Sequence, residues 1–156
     1  MAPLTDVAAL CRAAREAQPQ LAASSPAAKN AVLDAIAAGL VARSAHILSE
    51  NAIDVAAAES SGLTAASIDR LRLTTPRIES LARGVREVMA QPDPVGGMEG
   101  LERRPNGLLI GKMRIPLGVV AMIFESRPNI VIDAAALGLK SGNAIILKGG
   151  KEAVAT

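Results

Sequence analysis

Aromatic residues are nearly absent from this sequence, whose 156 residues include one Phe and neither Tyr nor Trp. Modules that bind single-stranded nucleic acid stack bases on aromatic side chains, and this scarcity argues against them. The charge pattern agrees, because 17 basic and 15 acidic residues are interspersed and leave a formal net charge of +2. We therefore expect no nucleic-acid partner.

Histidine and cysteine are also scarce, since His46 and Cys11 are the only ones. One cysteine cannot form an internal disulfide, which favours a reducing cytoplasm. Cys11 lies in a helical pattern, where a small apolar role is more common than a catalytic one. Without a His/Cys cluster we expect no zinc site, and no Ser–His–Asp arrangement can be assembled.

Long apolar runs are lacking as well. No uninterrupted stretch approaches the ~20 residues of a membrane span. The first residues lack the basic region and long apolar core of a signal peptide. The sequence predicts a cytoplasmic protein with no membrane partner.

What the chain does contain is a 50% share of apolar residues, enough for a substantial core. Residues 1–98 read as alanine-rich helices. Ser25-Pro26 predicts a helix start, with Ser at the cap and Pro at the first helical position. Further helices are predicted to begin at Ser44, Thr64 and Thr75, and the first helix is predicted to end near Ala17.

Residues 99–115 read as a β-hairpin arm around the turn Pro105-Asn106-Gly107. Asn-Gly is a strong hairpin signal, because both residues tolerate positive φ. An isolated hairpin is marginally stable and needs another sheet to pair with. We expect the arm to join a partner subunit in a homo-oligomer, or another part of the protein; a surface hairpin without a role is the alternative.

Residues 116–156 read as strand, helix, strand. The first strand should be covered on both faces, because residues 118–124 form a nearly continuous apolar run. The helix should end at Lys140, with Gly142 in the left-handed position after its last turn. A parallel strand follows at residues 144–147. Residues 152–155 look like the first turn of a further helix, and the chain is expected to be truncated there.

Polar residues follow both strands, at the sheet edge where ligands of open parallel sheets bind. After the second strand, Gly149 and Gly150 let backbone N–H groups approach an anion, and Lys148 adds a charge for a ribose or phosphate. The motif is neither a GxGxxG fingerprint nor a P-loop. A tight turn with a solvated lysine is an equally good interpretation.

After the first strand, Pro128 suits the first helical position and leaves Ser126 or Arg127 near the cap. Arg127 can bind a carboxylate or phosphate through two parallel hydrogen bonds. Asn129 can donate to a developing oxyanion. The alternative is a helix cap with an ion pair between Glu125 and Arg127, but the position at a strand end favours a functional site.

The order and spacing of a series of motifs resemble the gamma-glutamyl phosphate reductase family, also called glutamate-5-semialdehyde dehydrogenases, of the aldehyde dehydrogenase superfamily. The resemblance covers essentially the whole chain and is densest from Ile68 onward. The motifs are Ile68-Asp69-Arg70-Leu71, Pro92-Asp93-Pro94-Val95-Gly96, Arg104-Pro105-Asn106-Gly107-Leu108, Pro116-Leu117-Gly118-Val119, Glu125-Ser126-Arg127-Pro128-Asn129, Asp133-Ala134-Ala135-Ala136-Leu137, Leu139-Lys140-Ser141-Gly142-Asn143-Ala144 and Lys148-Gly149-Gly150-Lys151-Glu152-Ala153.

The resemblance implies an α/β fold: N-terminal helices, a β-hairpin arm and the start of a Rossmann-like parallel sheet of the aldehyde dehydrogenase type. It implies NADPH-dependent reduction of L-glutamyl 5-phosphate to L-glutamate 5-semialdehyde and phosphate, in proline biosynthesis. The family's nucleophilic cysteine, which forms a thioester, would lie beyond residue 156. Cys11 does not match it, so no catalytic residue is expected in this chain, and the 156 residues alone are expected to be inactive.

The resemblance also implies site residues. Lys148, Gly149, Gly150 and Lys151 would bind the adenosine end of NADPH. Lys151 stands where NAD-preferring relatives often carry a glutamate, and a cation there would favour the 2′-phosphate. Ser126, Arg127 and Asn129 would lie on the substrate or oxyanion side. Two other functions stay open: a non-catalytic nucleotide- or phosphate-binding module, and an interaction segment.

Overall fold

The computed structural model describes residues 6–125 and 127–156. Within them the chain forms a helical layer, an antiparallel hairpin and a two-stranded parallel sheet. The elements are α1 (Val7–Ala23), α2 (Pro26–Ala42), α3 (Ser44–Ser60), α4 (Ala65–Leu71), α5 (Thr75–Ala90), β1 (Met98–Arg103), β2 (Leu109–Met113), β3 (Val119–Ile123), α6 (Pro128–Lys140) and β4 (Ala144–Lys148).

Side-chain caps begin several of the helices. The Ser25 hydroxyl accepts from the Ala28 N–H at 3.2 Å and confirms the predicted start of α2. Thr64 caps α4 in the same way, accepting from the Ser67 N–H at 3.3 Å. These bonds satisfy N–H groups that have no partner inside the helix.

Helix α5 begins at Thr75 as predicted, with Thr74 as its cap, and α3 begins at Ser44; the expectation that Ser44 is the cap of α3 is wrong by one residue, because Arg43 holds that position. The predicted end of α1 near Ala17 is also wrong, since the helix continues through Pro19 to Ala23. The end of α1 packs against the sheet, where the Gln18 side chain donates to the Gly142 carbonyl at 3.2 Å. Such tertiary packing offsets the missing N–H of Pro19.

The main core lies where α2, α5 and α6 meet. Leu33 and Ala37 of α2 are fully buried against Ala82 and Val85 of α5, and Ala136 of α6 closes the cluster. The small alanines let the helices approach closely. A second cluster joins α3 to α4 and contains Val55, Ala58 and Leu71.

The hairpin forms as predicted, with β1 and β2 antiparallel from Met98 opposite Met113 to Arg103 opposite Leu109. Within the turn, only Gly107 has a positive φ, at 87°. Among the residues that the structure describes, every residue with positive φ is a glycine. The Gly107 N–H donates to the Arg104 carbonyl at 2.8 Å, which closes a turn ending in a left-handed glycine. Every residue of both strands is exposed.

The parallel pair also forms as predicted, with β3 and β4 in register from Val119 opposite Ala144 to Ile123 opposite Lys148. Gly142 has the expected left-handed φ, 71°. The expectation that both faces of β3 are covered is wrong, because Ile123 remains 80% exposed. Helix α6 packs mainly on β4, and a groove lined by Val120, Met122 and the exposed Leu137 lies open beside β3.

The predicted helical turn at residues 152–155 is not formed. We call residues 149–156 the glycine loop; it contains a turn at Lys151 and Glu152 and no helix. The N–H groups of Ala155 and Thr156 donate to the Asp54 carboxylate of α3, so a side chain far away in sequence takes the donors of this segment.

No single helix in residues 6–125 and 127–156 has both the length and the apolarity needed to cross a membrane. Taken together, α2 and α3 meet those two criteria, but they are bent by 69° at their junction. The division into segments 1–98, 99–115 and 116–156, with the first as part of a cofactor-binding domain, stays a prediction.

Candidate functional site

The carboxyl ends of β3 and β4 lie side by side. Ile123 is paired with Lys148, and the Phe124 N–H donates to the Lys148 carbonyl at 3.1 Å. The pairing therefore continues one residue past β3. As a result, the polar segment after β3 and the glycine loop after β4 start at the same edge of the sheet.

A cavity of about 310 Å³ opens at this edge. Phe124, Arg127 and Gly149 line it from the strand ends, with Leu81, Val131 and Leu147 on the apolar wall. Gly149 lies against the Phe124 ring, and a Cβ built on it would be 3.5 Å from the ring, an ordinary contact. The cavity thus joins an apolar wall to one guanidinium group.

Arg127 sits at the N-cap of α6, with Pro128 at the first helical position as predicted. Its guanidinium Nη2 is 3.9 Å from a Glu125 carboxylate oxygen, the ion pair of the alternative interpretation. Its Nε is buried and has no hydrogen-bond partner among the residues that the structure describes. An unpaired buried donor is costly, and an acceptor bound beside Arg127 would satisfy it.

Two cations flank the glycines of the loop. Lys148 is the last residue of β4 and Lys151 lies in the turn, and both are exposed. The Gly150 carbonyl accepts from the Ala153 N–H at 3.4 Å, which closes the turn that contains Lys151. The structure therefore gathers Lys148, Gly149, Gly150 and Lys151 at the same edge as Arg127.

Asn129 lies apart from this group. It lines a neighbouring cleft of about 480 Å³ together with Arg70, Arg83 and Asp133. At the beginning of a helix, the side chains of residues two positions apart point to nearly opposite sides. This direction separates Asn129 from Arg127. Ser126 lies outside the described residues.

These residues fit part of a nicotinamide dinucleotide. The apolar wall suits a flat ring of the dinucleotide. The unpaired Arg127 N–H and the two exposed lysines suit the phosphates of the dinucleotide. The cavity volume is at the lower end for a ligand pocket, so the rest of the molecule would extend along the exposed strand ends. Among the described residues, no group of three His, Cys, Asp or Glu side chains could hold a metal ion.

Two buried polar residues of α3 were not singled out from the sequence. Asn51 is 2% exposed, and its amide donates to the Leu71 carbonyl at 3.0 Å and accepts from the Leu73 N–H at 2.7 Å. Asp54 accepts from the end of the glycine loop. A signal was present, because both lie on the helical stripe of Val55 and Ala58, where polar residues are unusual.

Comparisons with known proteins agree with this architecture. The relatives include the gamma-glutamyl phosphate reductase of Nitratidesulfovibrio vulgaris (strain DP4), 57% identical over 143 residues, which are 92% of this chain and 34% of the relative. The enzyme of the same name from Solidesulfovibrio magneticus is 49% identical over 156 residues, 100% of this chain and 37% of the relative. The chain therefore spans about a third of the length of these relatives.

Solved structures of gamma-glutamyl phosphate reductases superpose on the chain. The Thermotoga maritima structure has a TM-score of 0.88 and 37% identity, covering 91% of this chain and 34% of that one. The Saccharomyces cerevisiae structure has a TM-score of 0.91 and 35% identity, covering 97% and 38%. The sequence profile of the aldehyde dehydrogenase family matches residues 1–156. On this evidence the chain, an α/β fold of aldehyde dehydrogenase type, belongs to the aldehyde dehydrogenase family.

Proposed function

We propose that this chain is the N-terminal, cofactor-binding part of an NADPH-dependent reductase. The substrate would be L-glutamyl 5-phosphate, and the products L-glutamate 5-semialdehyde and phosphate, in proline biosynthesis. The relatives carry the name of that activity. The observation that supports cofactor binding most is the buried Arg127 Nε–H, which has no partner among the described residues and lies where the strand ends meet.

In this proposal the chain's residues bind and orient the cofactor, and NADPH when bound supplies the hydride. Phe124 and Leu147 would pack against the flat rings, and the Arg127 Nε–H would donate to an oxygen of the ligand. Lys148 and Lys151 would attract the phosphates of its adenosine end. The nucleophilic cysteine is proposed to belong to sequence beyond residue 156, since Cys11 lies exposed on α1 and does not line the cavity.

Self-association through the hairpin is a second part of the proposal. The hairpin exposes apolar side chains that a partner would cover, namely Met98, Leu101, Leu109, Ile110 and Met113. Its strands pair only with each other among the described elements. A homo-oligomer formed through this arm, and a location in the cytoplasm, stay predictions.

Lys151→Glu is expected to shift the cofactor preference from NADPH toward NADH. A carboxylate beside the 2′-phosphate repels NADPH but leaves NADH nearly unaffected, so the NADPH Kd should rise by about tenfold. Titration followed by the fluorescence of the reduced nicotinamide measures the dissociation constants of NADPH and NADH. The chain contains neither Trp nor Tyr, so its own fluorescence adds little background.

The matched control for this charge reversal is Lys112→Glu, which makes the same change at an exposed position of β2. Its two dissociation constants should stay within about twofold of the wild-type values, because Lys112 lies on the hairpin and does not line the cavity. An equal effect of the two substitutions, or an unchanged Kd ratio for Lys151→Glu, would remove Lys151 from the 2′-phosphate site.

A further inference from the structure

Asp54 connects α3 to the far end of the glycine loop. The residue is 7% exposed, and its Oδ1 accepts from the Ala155 N–H at 3.1 Å. Its Oδ2 accepts from the Thr156 N–H at 2.8 Å and from the Thr156 hydroxyl at 2.6 Å. One carboxylate thus holds three donors of a segment that lies 101 to 102 residues away in sequence.

The glycine loop is part of the candidate site along its length. Gly149, Ala153 and Thr156 all line the cavity that Arg127 faces. Pairing of β4 with β3 fixes the start of the loop, and Asp54 fixes its end. Lys151 lies between these two anchors, so the placement of its backbone depends on both.

The carboxylate is ionised at neutral pH. Burial by itself raises the pKa of Asp54, but the hydrogen bonds from the Thr156 hydroxyl and from the backbone N–H groups of Thr156, Ala155 and Val154 outweigh it and lower the pKa below 3.8. Each of these partners donates to the charged form, which makes the hydrogen bonds stronger than neutral ones.

We propose that Asp54 is a positioning residue for the cofactor: by holding the N–H groups of Ala155 and Thr156, it fixes the loop that presents Lys151 and so sets the preference for the phosphorylated dinucleotide. The inference rests on the proposed function and adds to it a residue outside the strand ends. Asp54 itself does not line the cavity and acts through the loop.

Asp54→Asn is the direct test. An asparagine keeps one acceptor oxygen, and its NH₂ group faces donors instead of accepting from them. The NADPH Kd is expected to rise by about tenfold and the NADH Kd by less than about threefold, at a temperature where far-UV circular dichroism shows a fully folded chain. Asp34→Asn, the same change at an exposed carboxylate of α2, should alter neither constant.

The ratio of the two constants separates positioning from a structural role, because general loosening of the chain weakens both cofactors equally. Asp54→Glu retains the charge and should restore most of the NADPH preference. If Asp54→Asn does not fold, Thr156→Val removes one of the three donors and should shift the ratio in the same direction by about threefold.

The outcomes are distinguishable. A folded wild-type chain that binds neither cofactor contradicts the proposed function itself. A wild-type chain that prefers NADPH, with a variant whose two constants are unchanged or rise equally, overturns the positioning role of Asp54 and leaves the proposed function intact. A wild-type chain that prefers NADPH, with an Asp54→Asn variant that loses this preference while its NADH Kd changes little, supports both the positioning role and the proposed function.

Discussion

Asp93→Ala is expected to lower the free energy of unfolding by about 3–5 kcal/mol, because it leaves a buried ammonium group without its counter-ion. Lys29 is 3% exposed, and its Nζ is 3.2 Å and 2.9 Å from the two carboxylate oxygens of Asp93. The same carboxylate accepts from the Val95 N–H at 2.9 Å, so the substitution also frees a backbone donor. Urea unfolding followed by circular dichroism measures the loss.

Two comparisons make this experiment specific. Asp34→Ala removes an exposed carboxylate 3.6 Å from Arg86 and should cost less than about 1 kcal/mol. A double variant, Lys29→Met with Asp93→Leu, removes both charges and should recover part of the stability that Asp93→Ala loses. A loss below about 1 kcal/mol for Asp93→Ala would contradict the buried pair.

The pH dependence of this contribution follows from the pKa of Asp93. Burial alone raises that pKa, but the hydrogen bond from Lys29, the Val95 N–H and the charges of Lys29 and Lys140 lower it below 3.8. A carboxyl whose pKa is lower in the folded state stabilises the fold above its unfolded value and loses that contribution as pH falls. The Asp93 contribution should therefore be constant near neutral pH and decline below about pH 4.

Asn51→Ala is expected to cost about 2–4 kcal/mol, because it leaves the buried Leu71 carbonyl and the part-buried Leu73 N–H without their partner. The Asn51 amide bonds the Leu71 carbonyl and the Leu73 N–H, which hold the segment after α4 against α3. Leu71 is fully buried, so water cannot replace the lost bond to its carbonyl. Loss of the bond to the Thr156 hydroxyl, 3.1 Å away, adds to the cost.

The control for Asn51 is Asn106→Ala, in the exposed hairpin turn. The Asn106 side-chain oxygen Oδ1 accepts one hydrogen bond from the Leu108 N–H at 3.2 Å, and a water molecule can replace this acceptor. Its loss should cost about 0.5–1 kcal/mol. Similar midpoints for the two variants in urea would show that the Asn51 bonds add little to stability.

Features that depend on nearby residues were predictable from the sequence. The caps at Ser25 and Thr64 involve bonds between residues three positions apart, and the left-handed Gly142 completes a helix end. Such bonds form whatever the rest of the chain does, so a short motif specifies them. The cap of α3 is Arg43 and not Ser44, because such boundaries vary by one or two residues where no side-chain bond fixes the cap.

Long-range pairings were not predictable. Lys29 and Asp93 are 64 positions apart, and Asp54 and Thr156 are 102 apart. Their contacts depend on how the helices pack, and the local sequence pattern does not specify this packing. The candidate site shows the same limit: the sequence placed Arg127 and Asn129 in one group, and the geometry of the start of α6 puts them in different clefts.

The central claim is that the joined ends of β3 and β4 bind the reduced dinucleotide through Arg127. Titration of NADPH with the 156-residue chain and with its Arg127→Ala variant tests this most directly. The prediction is saturable one-to-one binding that Arg127→Ala weakens by about tenfold and that Arg15→Ala, on the exposed surface of α1, leaves unchanged. A folded chain that shows no saturable binding, or an Arg127→Ala variant that binds as tightly as the wild type, would contradict it.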